Sequence, residues 1–165
     1  MDCANRPGAP PTVHGVDDEI PPLLPPDQMP PILTPHDMYR HWRALMGELG
    51  FSRRLLWFGL VSSDGWMAPQ LNQIDDLPRR PNGVRLDNLM GICRELRDDI
   101  DESGSVAFLL SRPGPAAITD DDRYWARELA AAAARVAVRL EPIHLATDEA
   151  LRVFAADDLI LPHSA

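Results

Sequence analysis

The sequence predicts an α/β domain, a three-layer α/β/α sandwich built on a mixed sheet, and three observations lead there. Leu55 to Val61 and Ser105 to Leu110 are short apolar runs bounded by turn residues, the pattern of buried strands. Longer segments starting at Thr34, Val84 and Thr119 repeat apolar residues at helical spacing. The two kinds alternate, and strand-helix-strand units with a further helix require both faces of a sheet to be covered.

Residues 1–33 carry nine of the 17 prolines and no sustained periodicity, so they read as an extended, largely disordered tail. Between Ile20 and Leu33, prolines are mixed with Leu23, Leu24, Met29 and Ile32. A polyproline ligand for a partner is one reading of that stretch; a segment lying along its own domain, or a linker, is the other. The single domain is expected over 34–158, with a C-terminal tail over 159–165.

The first helix opens on Thr34-Pro35-His36-Asp37, which supplies an N-cap, a proline at the first helical position and an acid at the third. Met38, Trp42, Leu45, Met46 and Leu49 follow at helical spacing and Gly50 ends the run. His36 and His41 lie on it too far apart around the axis to share a metal, and they read as solvated. Leu55 to Val61 then makes a strand, and Ser62-Ser63-Asp64-Gly65 a hairpin turn. The returning strand spans Trp66 to Ile74, with Pro69 marking an edge or a bulge. A loop over Asp75 to Gly83 leads to the second helix, Val84 to Asp101. Its stripe is Leu86, Leu89, Met90, Cys93, Leu96 and Ile100. Gly91 in its middle suggests close packing on the sheet.

After the strand Ser105 to Leu110, Thr119 caps a third helix reaching about Val138, with Trp125, Leu129, Ala132 or Ala133, and Val136 turned inward. Strands over Leu140 to Ala146 and Leu151 to Ala155 complete the sheet. Asp157 and Asp158 read as a solvated turn.

Composition narrows the function classes. The net charge of -9 opposes a nucleic-acid groove, because phosphates are repelled. All 16 basic residues are arginine, which GC-rich codon usage explains. No window reaches the ~18 apolar residues of a membrane span, and no signal peptide is evident. The cytoplasm is therefore the default compartment. Of the two cysteines, Cys3 lies in the tail and Cys93 reads as a small core residue, so no disulfide framework is expected.

One stretch carries a family likeness. A strand ends in Leu110-Ser111-Arg112-Pro113-Gly114, Thr119-Asp120-Asp121-Asp122 opens the next helix, and Ile143-His144-Leu145 lies on the following strand. The order resembles the core of RadC-type JAB/MPN domains over about residues 53–155. In those domains a strand ends in His-x-His-Pro and a Ser-x-x-Asp follows. The two histidines and the aspartate hold zinc there, and an upstream glutamate works on the metal-bound water. Leu110, Ser111, Arg112 and Pro113 stand where His-x-His-Pro would be, and Thr119 and Asp122 where the Ser and Asp would be. His144 lies where the family often has a histidine outside the metal shell.

The departures decide the chemistry that the resemblance implies. Catalytic zinc takes three protein ligands and an open position. Only Asp122 remains here, and Arg112 would cost a neighbouring cation roughly 4 kcal/mol per unit charge at 4 Å and an effective dielectric of 20. No acid lies on Leu55 to Val61 to serve as the base. No metal and no cofactor are expected. Arg112 either pairs with Asp122 across the place of the metal or points into solvent, and both readings stand.

Weaker constellations are read structurally. Arg112-Pro113-Gly114 near a helix start suggests an anion cradle, but Asp120, Asp121 and Asp122 repel phosphate and suit capping. The leading expectation is a non-catalytic JAB/MPN-like module that binds another protein or itself, without nucleic-acid or membrane partners. The alternative is an enzyme or small-ligand binder with a polar pocket around Arg112, Asp122 and His144.

Overall fold

A computed structural model describes residues 19–160. The tail expected over residues 1–18 with Cys3, and the last five residues, lie outside the described residues. The elements are α1 (Pro35–Met46), β1 (Leu55–Val61), β2 (Asn72–Ile74), α2 (Gly83–Ile100), β3 (Ser105–Ser111), α3 (Asp120–Arg135), β4 (His144–Ala146) and β5 (Leu151–Val153). Short 3-10 turns lie at Pro26–Gln28 and Ala156–Leu159.

The five strands form one mixed sheet in the order β2-β1-β3-β4-β5. Its centre is the antiparallel pair β1 and β3, in register from Leu55 opposite Ser111 to Val61 opposite Ser105. Only the β3–β4 pair is parallel, joined through α3. Side chains alternate across a strand, and that alternation sorts the core into two halves. Leu56, Phe58, Leu60, Val106, Phe108 and Leu110 pack beneath α2 and α3. Val61, Ala107, Leu109 and Ala146 pack beneath Met38 and Trp42 of α1. Helices on both faces make this an α/β/α three-layer sandwich. Every residue of β3 is buried, as a strand covered on both faces requires.

Several boundaries differ from the sequence reading. α1 stops at Met46, four residues before Gly50, because Gly47 turns the chain at φ 60°. The strand expected over Trp66 to Ile74 is reduced to Asn72–Ile74 and one bridge between Val61 and Met67. Pro69 has no N–H to continue the ladder. The strand expected from Leu140 similarly begins at His144, beyond Pro142, after a bridge from Leu140 to Val106. α3 ends at Arg135, where Ala137 takes a positive φ of 56°.

The α2 stripe is also corrected. Leu86, Met90, Cys93 and Arg97 face the core, while Leu96 and Ile100 are exposed. Gly91 does not pack on the sheet, for a Cβ there would meet nothing within 4 Å. The neutral Cys93 thiol is fully buried, and burial pushes its pKa up to about 12.

Residues 19–33, assigned to the tail from sequence, lie against the domain. Met29 and Ile32 are buried, and the Ile32 N–H donates to the Gly65 carbonyl at 2.7 Å. Gly65 sits at φ 89°, and a Cβ there would come within 2.6 Å of the Ile32 carbonyl oxygen. The strap crosses α1 and covers His41, which is buried rather than solvated. Prolines suit this path because an extended strap has no ladder to join. At the other end, Leu159 packs on the main core and the Asp158 carboxylate accepts from Arg123 Nε at 3.0 Å. Asp158 is thus engaged, not a solvated turn residue.

Candidate functional site

The residues flanking the end of β3 converge on one ion pair. The Arg112 N–H continues the parallel ladder by donating to the Ala146 carbonyl at 3.0 Å. That fixes the residue at the strand end and turns its side chain to the α3 side, where Leu110 also points into the core. Thr119 caps α3 by a reciprocal box: its hydroxyl accepts the Asp122 N–H at 3.2 Å, and Asp122 Oδ2 accepts the Thr119 N–H at 2.9 Å. The same box aims the Asp122 carboxylate back at the strand end.

Arg112 meets it in a two-pronged contact, with Nε donating to Oδ1 at 2.9 Å and Nη2 to Oδ2 at 2.7 Å. The remaining N–H groups are spent on the loop between β3 and α3. Nη1 donates to the carbonyls of Pro113 at 3.1 Å and Pro115 at 3.2 Å, and Nη2 to that of Ala117 at 2.9 Å. A guanidinium has five N–H donors, and all five are placed. Arg112 and Asp122 are 7% and 2% exposed. Burial would raise the Asp122 carboxyl pKa, but Arg112 and the Thr119 backbone outweigh it and hold it below the usual carboxylate range.

The loop wrapped around Arg112 is held from outside as well. Asp148 accepts the Gly114 N–H at 2.8 Å and the Phe51 N–H at 2.8 Å, and Glu149 accepts that of Ala116 at 2.8 Å. Gly114 turns at φ 102°. The sequence reading missed this clamp, since Asp148 and Glu149 fall between the strands expected over Leu140 to Ala146 and Leu151 to Ala155 and were given no role. Two consecutive acids directly after a strand are the signal, but no spacing rule names partners 33 or more residues away. Ser111, between Leu110 and Arg112, faces the opposite layer and accepts the Trp57 Nε1–H at 2.9 Å.

These residues do not fit a divalent metal. Leu110 offers no ligand atom, Arg112 brings a cation, and both Asp122 oxygens already accept hydrogen bonds. Among the described residues, no group of three His, Cys, Asp or Glu is placed to hold a metal ion.

His144 is elsewhere. It pairs with Leu109 across the parallel β3–β4 register, and so points to the α1 face. It is fully buried, its Nδ1–H donates to the Pro142 carbonyl at 2.9 Å, and its Nε2 has no partner among the described residues. Burial lowers its pKa to about 4, although the Pro142 contact acts the other way. Its ring lies 6.2 Å from that of Tyr39, beneath an open groove rimmed by His36 and Arg152. The pocket expected around Arg112, Asp122 and His144 is therefore not assembled: the sheet separates the ion pair from the histidine. Thr119 and Leu110 serve as a cap and a core residue.

No family model matches the chain, and no curated protein matches it.

Proposed function

We propose that this protein is a non-catalytic α/β module of the JAB/MPN type that acts by binding another protein. The observation behind the proposal is the Arg112–Asp122 pair. It fills the place at the strand end where the likeness puts a catalytic metal, and it spends every guanidinium donor on the protein's own atoms. A site saturated in this way holds structure and has no free valence for a substrate. The succession of hairpin, helix, strand, helix and strand supports the family part of the reading. The exposed apolar side chains Leu23, Leu33, Trp66, Val84, Ile92 and Ile100 support the binding part. The charge of -9 argues against nucleic acid, and the reading places the protein in the cytoplasm. Among the described residues, no helix is long and apolar enough to cross a membrane.

Affinity capture of the full chain from native lysate, run beside sedimentation of the purified protein, tests the proposal. A specific, stoichiometric partner or reversible self-association is the expected result. A strictly monomeric protein with no specific partner overturns it. Stoichiometric zinc in the purified protein, lost on Asp122→Asn, would overturn the non-catalytic part.

A further inference from the structure

We infer that the exposed flank of α2 is a self-association surface, on which a second copy of this chain packs its own α2 antiparallel with Ile92 at the two-fold axis. The inference rests on the protein-binding reading and names the partner.

α2 is the longest helix, and its inward face is complete with Leu86, Met90, Cys93 and Arg97. α3 covers one flank, where Arg135 Nη2 meets Asp87 Oδ1 at 2.6 Å. On the other flank Ile92 is 53% exposed, Leu96 37% and Ile100 55%, and Val84 continues the same four-residue row at 70%. Rows of this spacing form the ridges by which helices interlock. Next to Ile92, Gly91 is open, so a partner backbone can approach closely there.

Charge selects the occupant. Arg85 and Asp99 lie on the same side of the helix as Ile92, two turns toward the N-terminus and two turns toward the C-terminus, each about 10 Å away along the axis. Neither side chain makes an ion pair or hydrogen bond among the described residues, and Glu95, one turn from Ile92, makes none either, whereas Asp87, Arg94, Arg97 and Asp98 on the same helix are all engaged. An antiparallel copy centred on Ile92 sets Arg85 of each chain against Asp99 of the other. It also sets Leu96 against Asn88 and Ile100 against Val84. A self-complementary pattern of this kind is what a two-fold interface needs. With one helix per subunit the contact is small, so the dimer dissociates readily on dilution.

Sedimentation equilibrium of the full chain, from low micromolar to several hundred micromolar, reads the outcome. Wild type is expected to dimerise reversibly, and Ile92→Glu to remain monomeric with an unchanged circular dichroism spectrum. Arg85→Asp or Asp99→Arg alone places like charges together twice and weakens the dimer about tenfold, and the double exchange restores it. In a Cys3→Ser background, mild oxidation cross-links Ile92→Cys to itself but not Arg85→Cys. A monomeric wild type, or a double exchange that restores nothing, overturns the inference. A monomer that still captures a specific partner from lysate overturns the dimer and leaves the protein-binding reading intact.

Discussion

Arg112 and Asp122 face each other across the gap between a strand end and a helix start, Nη2 to Oδ2 at 2.7 Å, with both side chains buried. A buried pair of this kind is costly to break and cheap to replace. Removing Arg112 leaves the Asp122 carboxylate buried with only Arg54 nearby, its Nη2 3.9 Å from Oδ1 and beyond hydrogen-bond reach. Arg112→Met, which also strips three loop carbonyls of their donor, is expected to cost about 3–5 kcal/mol in urea unfolding. Arg112→Met combined with Asp122→Leu should cost clearly less than the two single changes summed. Additive losses would mean that the two groups act independently.

Acid should attack the same pair. The Asp122 carboxyl titrates below its ordinary value in the folded chain, because Arg112 and Thr119 outweigh the effect of burial. A depressed folded pKa contributes stability that is fully present above the unfolded value of about 3.9 and is lost as pH falls through the folded one. Unfolding free energy measured from pH 5 downward should therefore drop below about pH 4. Asp122→Asn should flatten part of that drop.

His144 acts in a different pH window. Its folded pKa is about 4 against an ordinary 6.5. Above pH 6.5 both states are neutral and the group contributes no slope. Between pH 6.5 and 4 the unfolded chain binds the proton and the folded chain does not, so about 3 kcal/mol of stability is lost across that interval. His41, lowered by burial under the strap, adds to the same slope. His144→Asn keeps a donor for the Pro142 carbonyl and should remove most of the dependence. An unchanged slope would assign it to other groups.

The strap is expected to depend on Gly65. A Cβ at that position would meet the Ile32 carbonyl oxygen at 2.6 Å. Gly65→Ala should therefore lift residues 29–33 from α1, and Ile32→Ala should cost about 2 kcal/mol. The diagnostic readout is His41, whose imidazole pKa, followed by NMR, should rise toward 6.5 as the cover loosens. A His41 titration identical to wild type in Gly65→Ala would show that the strap stays in place.

Gly91 predicts the opposite sign. It lies mid-helix with open space around it. Alanine there should raise the unfolding free energy by about 1 kcal/mol, since nothing obstructs the methyl group and helix propensity favours it. A destabilised Gly91→Ala would mean that this face is covered within the monomer.

Local rules accounted for the parts of the fold that local physics controls. The strand over Leu55–Val61 and the caps at Thr34 and Thr119 match the structure residue for residue. Each depends on neighbours within a few positions: an apolar run between turns, or a hydroxyl three residues before an acid. The errors and the open choices lie where a distant surface decides. For Ile20 to Leu33 the sequence left docking on its own domain, a linker and a partner ligand as readings, and the structure takes the first by burying Met29 and Ile32 against the domain. The inward stripe of α2 runs through Leu86, Met90, Cys93 and Arg97 at regular helical spacing, and it was the apolar character of Leu96 and Ile100, both exposed, that drew the sequence reading off that line.

The candidate site divides in the same way. That Leu110 cannot ligate and that Arg112 repels a cation are properties of the side chains, so the sequence alone settled that a zinc triad is missing at these positions. Whether Arg112 points inward or outward was undetermined, because both orientations satisfy the chain locally. The tertiary structure decided it by bringing three loop carbonyls and the capping carboxylate of α3 to the five donors of one guanidinium. It also placed His144 on the far side of the sheet. Residue type sets which interactions are available, whereas the pleat of β3 and β4 sets which side chains share a face, and that alternation assigned Arg112 and His144 to opposite layers.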